Sequence, residues 1–466
     1  MERNKFLFTV AMLVTVIPLT AQEGRQVFGP EAVIDMVRRN HPVAKQAALL
    51  VNKADAELLL ARGAFDPAFE LDASRKTFDG KNYYYYSNPQ LQIPTAAAVT
   101  LKAGTESNGG DLLSPEVTRG RSSYLGLELP LGNGLLLDKR RAALQQAKIL
   151  QNQSEQERKN VLNNLLLDAY TAYWQWAGAH QLYTIYSGFL ANAQQRQNLV
   201  RNAYIHGDRS VMDTVESYTQ LQQYRLQQTE AKQKLNNAAI SLSYFLWQDD
   251  TTAYQLPEHY VPDTTRFNAR EEDQVLEENM AIILAQHPLL KSAEYKISSM
   301  ETEKRLKLQG LLPYVSLKAN VLSKEYGFVK GLDAAYLQNN YKWGVSVQLP
   351  LFLRQGRGEY KKAQIKLKET QLELSAKRWQ LENKIRYYQN ERTRLLEQWE
   401  LTRSLQNNYR QLLRNEELKF IQGESSLFLV NSRETKLLEI LQKQTQLRIK
   451  YLTAGYELRW AGGMLD

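Results

Sequence analysis

The residue types that perform most enzyme chemistry are few and scattered in this sequence. The chain has no cysteine, which excludes disulfide bonds, thiolate nucleophiles and cysteine-ligated zinc. Its five histidines show neither HxxxH nor HxH spacing, so they do not predict a metal site. These residues are His41, His180, His206, His259 and His287. No arrangement resembles a catalytic triad, and we expect a protein that is not an enzyme and holds no metal or cofactor.

Two local motifs resemble sites but have simpler interpretations. Gly132-Asn133-Gly134 lies between a predicted strand and a predicted helix, as a phosphate-binding loop does, but no Gly-Lys-Ser/Thr follows it. Glycine more simply lets the chain bend between the two elements. The pairs His41-Pro42 and His287-Pro288 are interpreted as turns at the starts of helices.

The charge balance does not support a nucleic-acid partner. Lysine and arginine together number 59 against 50 aspartates and glutamates, which gives a formal net charge of +9. This excess is small for 466 residues, and the basic side chains are dispersed among acids. Surfaces that bind nucleic acid cluster their basic residues instead, so we expect no nucleic acid among the partners.

Residues 1–21 have the pattern of a secretory signal peptide. The charged start MERNK precedes the apolar run FLFTVAMLVTVIPL, and small residues stand before Gln22. The run is too short for a membrane-spanning helix, which needs about 20 residues. No later stretch is long and apolar enough either. We therefore expect an exported chain that can enter a membrane only as a β-barrel.

The two halves of the chain share short matching segments in the same order, which indicates an internal duplication. The matches are Asn40-His41-Pro42 with Gln286-His287-Pro288, Leu129-Pro130-Leu131 with Leu349-Pro350-Leu351, and Tyr204-Ile205-His206-Gly207 with Phe420-Ile421-Gln422-Gly423. We predict a first repeat at 22–248, a linker at 249–270 and a second repeat at 271–466. Each repeat is expected to run helix, strands, very long helix, glycine turn and returning helix.

The segments after the first helix of each repeat alternate apolar and polar residues, as strands do. The apolar positions are Phe69, Leu71 and Ala73; Leu125, Leu127, Leu129 and Leu131; Val315, Leu317, Ala319 and Val321; and Trp343, Val345, Val347, Leu349 and Leu351. A barrel with a lipid-facing outside and a wet lumen requires two such faces, although a half-exposed soluble sheet alternates in the same way. The signal peptide and the aromatic residues Tyr83–Tyr86 and Trp343, suited to a membrane interface, favour the barrel.

The first repeat carries extra residues between two prolines that mark its strands. These are Pro67 and Pro130, and the corresponding prolines of the second repeat, Pro313 and Pro350, lie closer together. Within the extra segment, residues 99–104 alternate as a further strand does. An odd number of strands would leave the next helix on the wrong side of the membrane, so parity predicts an added hairpin at about 88–106. The sequence leaves open whether this hairpin enlarges the barrel, caps it outside or folds into its lumen.

Two segments without proline, about 137–205 and 359–422, predict helices roughly 100 Å long at 1.5 Å per residue. Their apolar residues follow a 4-3 rhythm in places, which is coiled-coil spacing. After a glycine, shorter helices at about 210–247 and 426–460 are expected to return antiparallel.

One strand pair per repeat gives four strands, which cannot close a barrel, and lipid does not tolerate an open strand edge. The chain must therefore oligomerise. A dimer would give eight strands and a filled interior, whereas a trimer would give twelve strands and an open lumen.

This repeated architecture resembles the TolC-like outer-membrane efflux protein family over about 25–462. The matching pieces are the LPL strand ends that lead into the basic helix starts at 138–141 and 354–357, the Gly207 and Gly423 turns, and the final helix YELRWAGG. The resemblance implies a mixed α and β fold. In that fold, three chains pool their strands into one twelve-stranded transmembrane β-barrel, continued by a periplasmic α-helical coiled-coil barrel.

The resemblance also implies a function and partners. The protein would be the exit duct of a tripartite efflux or secretion system in the outer membrane of a Gram-negative bacterium. Its partners would be two further copies in a homotrimer, outer-membrane lipid, a periplasmic adaptor (membrane fusion) protein and an inner-membrane transporter. A periplasmic coiled-coil scaffold or adaptor without a barrel is the alternative. The cargo stays open between drugs, metal ions and secreted proteins.

The glycine turns are the expected contact with the adaptor. Glycine can take φ > 0 there, and the residues that follow would leave backbone and side chains open to a partner hairpin. We predict contacts at Gly207, Ser210, Val211, Gly423, Ser426 and Leu427. Simple helix caps without a partner are the alternative.

The resemblance carries a pore constriction to Asp213 and Glu216. These acids follow Gly207 by six and nine residues, one helical turn apart on one face. In the family, acids at these offsets line the narrow periplasmic entrance. The same offsets after the second turn glycine hold Leu429 and Ser432, so a trimeric ring would carry six carboxylates instead of twelve. A solvated acid pair on an outer helix face is the alternative, and cation preference stays open.

Overall fold

The structure is a computed structural model that describes residues 26–112, 117–249, 251–267, 279–324 and 339–465. The expected signal peptide at 1–21 and residues 271–278 of the second repeat lie outside the described residues. Long helices and one large sheet make up most of what is described, so the fold is of the mixed α and β class.

The first half runs from helices through strands to a long helical hairpin. Its elements are β1 (Gln26–Phe28), α1 (Pro30–Asn40), α2 (Pro42–Gly63), β2 (Ala68–Phe78), β3 (Lys81–Pro94), β4 (Thr100–Gly109), β5 (Gly120–Pro130), α3 (Lys139–Ile205) and α4 (Val211–Ser243).

The second half follows the same order with two fewer strands among the described residues. Its elements are β6 (Tyr260–Pro262), α5 (Met280–Gln286), α6 (Pro288–Gln309), β7 (Tyr314–Lys324), β8 (Tyr341–Gln348), α7 (Arg354–Ile421) and α8 (Leu427–Ala461). The long helices α3 and α7 contain 67 and 68 residues. At 1.5 Å per residue each is about 100 Å long, as the sequence predicts.

A histidine side chain starts the second helix of each half. The Nδ1 atom of His41 accepts the Val43 N–H at 3.2 Å, and that of His287 accepts the Leu289 N–H at 3.1 Å. Burial lowers the pKa of His287 to about 4, which keeps the ring neutral and its Nδ1 lone pair able to accept. The interpretation of both His-Pro pairs as helix starts is confirmed.

Six strands of the described residues form one antiparallel sheet in the order β2-β3-β4-β5-β7-β8. The expectation of one strand pair per repeat, with an added hairpin in the first, needs a correction in its bounds. The sequence predicts the extra hairpin at about 88–106, but its strands β3 and β4 cover 81–94 and 100–109. The hairpin lies within the sheet, since β3 pairs with β2 and β4 pairs with β5.

The main core lies where helices of the two halves meet. On α3, the rings of the fully buried Tyr173 and Trp174 meet edge-on at a centroid distance of 5.1 Å. The ring of Tyr170 stacks on that of Tyr456 of α8 at 3.8 Å. A Cβ atom on Gly178 would lie 1.9 Å from Ile449 Cδ1, so any larger residue there would force the Ile449 side chain to move where α3 and α8 meet.

Part of the predicted linker at 249–270 packs on the first half. Its strand β6 pairs in parallel with β1. The Tyr173 hydroxyl donates to the Phe28 carbonyl at 3.1 Å and accepts the Asp263 N–H at 3.1 Å. The bounds of the two repeats and of the linker stay predictions. Within the described residues, no helix is both long enough and apolar enough to cross a membrane.

Candidate transport duct

In the half nearer the helices, the large sheet has one apolar and one polar face. The strand register aligns one row of apolar or small residues across all six strands, namely Phe69, Leu91, Ala103, Leu125, Val321 and Tyr341. The adjacent residues point to the opposite face because side chains alternate along a strand. That face carries Glu70, Gln90, Gly104 and Tyr124 in the next row. The sheet therefore has the two faces that a membrane wall around a wet lumen requires.

Charged side chains on the polar face form a short ladder across three strands. Lys102 Nζ on β4 lies 2.7 Å from Glu128 Oε2 on β5, and both side chains are partly buried. Lys318 Nζ on β7 lies 3.8 Å from the other oxygen of the same carboxylate. The ladder joins strands of both halves of the chain on the side away from the apolar row.

The two edges of the sheet are open. Every residue of β2 and of β8 is exposed, and no further strand lies beside either of them in the described part of the chain. Their outward apolar residues include Phe69, Trp343 and Val347, which are also exposed. Open backbone edges beside exposed apolar side chains are a ready surface for pairing with another chain.

At the opposite end, both glycine turns have the same geometry. Gly207 and Gly423 have φ of +80° and +82°. After α3, the Asp208 N–H donates to the Ala203 carbonyl and the Gly207 N–H to the Tyr204 carbonyl. The corresponding bonds follow α7. This is the Schellman arrangement of a helix C-terminus, and the left-handed backbone explains the glycine at each turn.

The predicted contact residues at these turns differ in exposure. Ser210 and Ser426 are the N-caps of α4 and α8, and their hydroxyls accept N–H groups of the first turn. Val211 is 56% exposed, whereas Leu427 is only 1% exposed. The expectation that the Leu427 side chain stays open is therefore wrong for the single chain, because this residue packs inward at the start of α8.

A contact between the two turns holds them together. The Arg209 guanidinium lies over the Phe420 ring, with Cζ 4.1 Å from the ring centroid. Its Nη2 atom also donates to the Phe420 carbonyl at 3.0 Å. A cation over an aromatic face and a charge-assisted hydrogen bond both favour this placement. The tips of the two helical hairpins are thus joined side by side within one chain.

The two acids predicted at the constriction already have partners within the chain. The Asp213 carboxylate accepts the Ser210 N–H at 3.1 Å, which completes a capping box with the Ser210 hydroxyl. The Ser-x-x-Asp spacing is the sequence signal of this box, and sequence reasoning missed it. Glu216 Oε1 accepts the Asn431 side-chain N–H of α8 at 3.0 Å. Their role at a pore stays a prediction.

Comparison with known proteins identifies the family to which this chain belongs. The family profile described as outer membrane efflux protein matches residues 33–246 and 280–463. The chain belongs to the outer membrane efflux protein family. The resemblance stated from the sequence is thereby confirmed, and so is the expectation that the chain is not an enzyme. This efflux protein is an outer-membrane transport channel of a Gram-negative bacterium and extends into the periplasm.

Solved structures share the fold of this efflux protein at low sequence identity. The CmeC outer membrane channel of Campylobacter jejuni is 16% identical, with a TM-score of 0.65 over 94% of this chain and 86% of that chain. VceC of Vibrio cholerae is 15% identical, with a TM-score of 0.67 over 93% and 96%. The open-state MtrE channel of Neisseria gonorrhoeae is 13% identical, with a TM-score of 0.66 over 93% and 88%. A search of curated protein sequences finds no significant match.

Sequence reasoning missed a buried ion pair that joins the two helical hairpins of the efflux protein. The Arg196 guanidinium of α3 contacts both carboxylate oxygens of Glu434 on α8 at 2.8 Å. Glu434 is 1% exposed and also accepts the Tyr224 hydroxyl of α4 at 3.0 Å. Burial and the neighbouring carboxylate raise the pKa of Tyr224, so its hydroxyl stays protonated and donates.

A second bond couples this ion pair to one of the predicted constriction acids. Arg196 Nη1 donates to Asn431 Oδ1 at 3.1 Å, and the amide of Asn431 donates to Glu216. The sequence offers no local signal for this network, because its members on α8 lie far along the chain from those on α3 and α4. In the part of the chain that the structure describes, no group of three or more His, Asp and Glu side chains is placed to hold a metal ion.

Proposed function

We propose that three copies of this efflux protein assemble into one exit duct of a tripartite efflux system. The sheets would pool into a transmembrane barrel, and the long helices would form a periplasmic coiled-coil barrel. The tips would meet a periplasmic adaptor that joins the duct to an inner-membrane transporter. Small molecules would then cross the periplasm and the outer membrane in one passage.

The observation that carries this proposal is the pair of open sheet edges. β2 runs away from the helices and β8 runs back towards them, so β8 of one copy can pair antiparallel with β2 of the next. In lipid such edges cannot stay unpaired, because no water satisfies their N–H and C=O groups. A closed ring of copies leaves no edge. The scaffold alternative lacks a membrane sheet and does not account for these two strands.

The apolar face supports the same arrangement. Leu71 and Phe69 on β2 and Val345 and Val347 on β8 are exposed at the two edges. In a pooled barrel their row would continue from copy to copy as a lipid-facing belt. A water-soluble scaffold would expose the same belt to solvent, where an apolar patch of this kind promotes aggregation.

Assembly and conduction can be tested together. The protein purified in detergent should have the mass of a trimer and should conduct ions in a planar bilayer. Because the chain has no cysteine, pairs of single cysteines scanned along β2 and β8 can report contact between copies. We expect a disulfide-linked trimer for one register of pairs. A water-soluble monomer without detergent would refute the proposal.

The tips and the two acids have proposed roles within this duct. We propose that Gly207, Ser210, Val211, Gly423 and Ser426 contact the adaptor, with Val211 as an exposed apolar side chain. Asp213 and Glu216 are proposed to form a ring of like charges around the threefold axis at the periplasmic entrance. Such a ring would attract cations or hold the closed end apart.

A further inference from the structure

We propose that the β3–β4 hairpin is part of the membrane wall, so that the assembled duct has eighteen strands instead of twelve. The inference rests on the proposed trimer, since three sheets of six strands give this number. It chooses one of the three places that the sequence leaves open for the hairpin, namely the wall, an outside cap and the lumen.

The hairpin pairs with wall strands on both of its sides. β3 pairs with β2 from Lys81 to Gln92, and β4 pairs with β5 from Thr100 to Asn108. β2 and β5 do not pair with each other. A cap or a plug would leave β2 and β5 as neighbours in the wall. In this structure the hairpin separates them over the full length of the sheet.

The faces of the hairpin are in phase with the rest of the sheet. Leu91 and Ala103 stand in the apolar row between Phe69 and Leu125. The next row places Ile93 and Leu101 beside Leu127, Ala319 and Trp343. The polar face also continues, because Lys102 joins the charge ladder. A segment in the lumen would have no use for apolar side chains in phase with these two rows.

Side-chain contacts across the hairpin also fix its register in the sheet. Tyr124 of β5 is 3% exposed and crosses β4 at Gly104, where a Cβ atom would lie 2.6 Å from its hydroxyl oxygen. Its hydroxyl lies 3.1 Å from both Asn88 Oδ1 and Gln90 Oε1 on β3. On the other face, Tyr85 covers Gly109 in the same manner. Aromatic side chains that cover strand glycines fix register within a sheet.

Simple geometry shows that the helices can carry a wall of this width. With about 4.8 Å between strands and a tilt of about 40°, twelve strands give a perimeter of ~75 Å and eighteen give ~113 Å. Beside the sheet, α2, α3, α6 and α7 pack as neighbours in a row. Three such rows give a ring of twelve helices with a perimeter of ~100–120 Å, at about 8–10 Å between axes.

A wider membrane segment changes the place along the duct at which cargo is selected. The membrane segment would have a radius of ~18 Å to the backbone, compared with ~12 Å for twelve strands. A wall of this radius is not the narrow point of the duct. Selection by size would fall to the periplasmic tips, and the membrane segment would admit bulkier cargo than a twelve-stranded barrel does.

The distance between equivalent strands of the three copies tests the inference. A single cysteine, Val345→Cys on β8, can be spin-labelled because the chain has no cysteine of its own. Electron–electron dipolar spectroscopy on the detergent-solubilised protein then measures the spacing between copies. Backbone positions on a threefold ring lie √3 radii apart, which is ~31 Å for eighteen strands and ~21 Å for twelve.

A deletion variant supplies the matched comparison. Removing residues 81–119 joins Gly80 to Gly120 and replaces the hairpin with the existing Asp79-Gly80 turn. Pairing Phe78 with Gly120 puts Phe69 opposite Leu129, so the faces stay in phase. We expect the full-length protein to show a distance about 1.5-fold longer than the deletion variant, in the ratio of the two strand numbers.

Other outcomes overturn the inference in distinguishable ways. Equal distances near 21 Å in both proteins would refute the eighteen-stranded wall while leaving the trimeric duct intact. Higher conductance after the deletion at unchanged distance would identify the hairpin as a plug. Loss of any coupling between copies in the full-length protein would refute the trimer itself. If the deletion variant does not assemble, the full-length distance alone decides between the two radii.

Discussion

At the scale of single residues, the Arg196–Glu434 pair is a close and buried charge contact between the two helical hairpins. Both carboxylate oxygens meet the guanidinium at 2.8 Å, and Tyr224 and Asn431 satisfy further hydrogen-bonding capacity. A buried ion pair offsets the cost of removing two charges from water only when its geometry and hydrogen bonds are this good. The loss of one partner leaves the other charge buried and uncompensated. The pair and its partner Tyr224 lie on α3, α4 and α8. The fourth helix, α7, is also close, since Glu417 lies 3.8 Å from Arg196.

We expect Glu434→Ala to destabilise the helical region by about 3–5 kcal/mol, because it leaves the Arg196 guanidinium buried without its carboxylate. The midpoint of thermal unfolding, followed by circular dichroism, should fall. Hydrogen exchange should rise along α3 and α4 in particular, where Arg196 and Tyr224 lose the Glu434 carboxylate that both of them contact.

Glu439→Ala is the matched control on the same helix. Glu439 lies 2.8 Å from Lys436, but both side chains are more than half exposed, so this pair contributes little. The double variant Arg196→Ala with Glu434→Ala should lose less free energy of unfolding than the sum of the losses in the two single variants. Equal effects of Glu434→Ala and Glu439→Ala would show that the buried pair does not stabilise the helices.

At the scale of elements, the two glycine turns set the ends of the long helices. A Cβ atom at Gly207 or Gly423 meets nothing within 4 Å, so the constraint at both positions is the backbone and not space. A β-branched residue is strained at positive φ, whereas asparagine tolerates it. Comparing a valine with an asparagine substitution can therefore separate the effect of strained backbone geometry from the effect of added side-chain volume.

We expect Gly207→Val and Gly423→Val to abolish export while the trimer still assembles, because each distorts the surface proposed to meet the adaptor. Gly207→Asn should retain export. Accumulation of a fluorescent efflux substrate in cells that depend on this duct measures export, and native gels measure assembly.

Gly188→Ala is the control on the same long helix. Gly188 also has open space around it, but it has no positive φ, so alanine should be tolerated there. Normal export in both valine variants would contradict a role of the turns in adaptor contact.

At the scale of the whole molecule, symmetry decides whether Asp213 and Glu216 matter to transport. In one chain they cap a helix and bind Asn431. Around a threefold axis the same residues would contribute six carboxylates, and like charges gathered at a neck create a strong local potential. The amide variants Asp213→Asn and Glu216→Gln remove charge and keep a carbonyl oxygen that can accept the same hydrogen bonds.

We expect the double variant Asp213→Asn with Glu216→Gln to lose cation preference and divalent-cation block in planar bilayers, because the ring of charge is gone. Asp208→Asn serves as the control, since Asp208 is exposed and directly follows the turn glycine. Unchanged conductance, ion selectivity and block in the double variant would place these acids away from the pore.

Local sequence by itself determined the helices, their ends and the two faces of the strands. Helix length follows from the absence of proline, the turns follow from glycine, and caps such as Ser210 and His287 act within two or three residues of themselves. Alternation along a strand is equally local, which is why most apolar positions of β5, β7 and β8 could be predicted. The predicted strands were one to three residues too long, since Leu131, Leu349 and Leu351 lie beyond the ends of β5 and β8. The order of these parts was enough to indicate the family.

Only the tertiary structure decided what depends on residues distant along the chain. The place of the β3–β4 hairpin is set by its pairing with β2 and β5, and alternation alone fits a wall, a cap or a plug. Leu427 looks like an exposed tip residue until α8 packs against its neighbours. Glu434 looks like any helical acid until Arg196, 238 residues away, meets it. Partners of this kind are chosen by packing, which short-range sequence patterns do not encode.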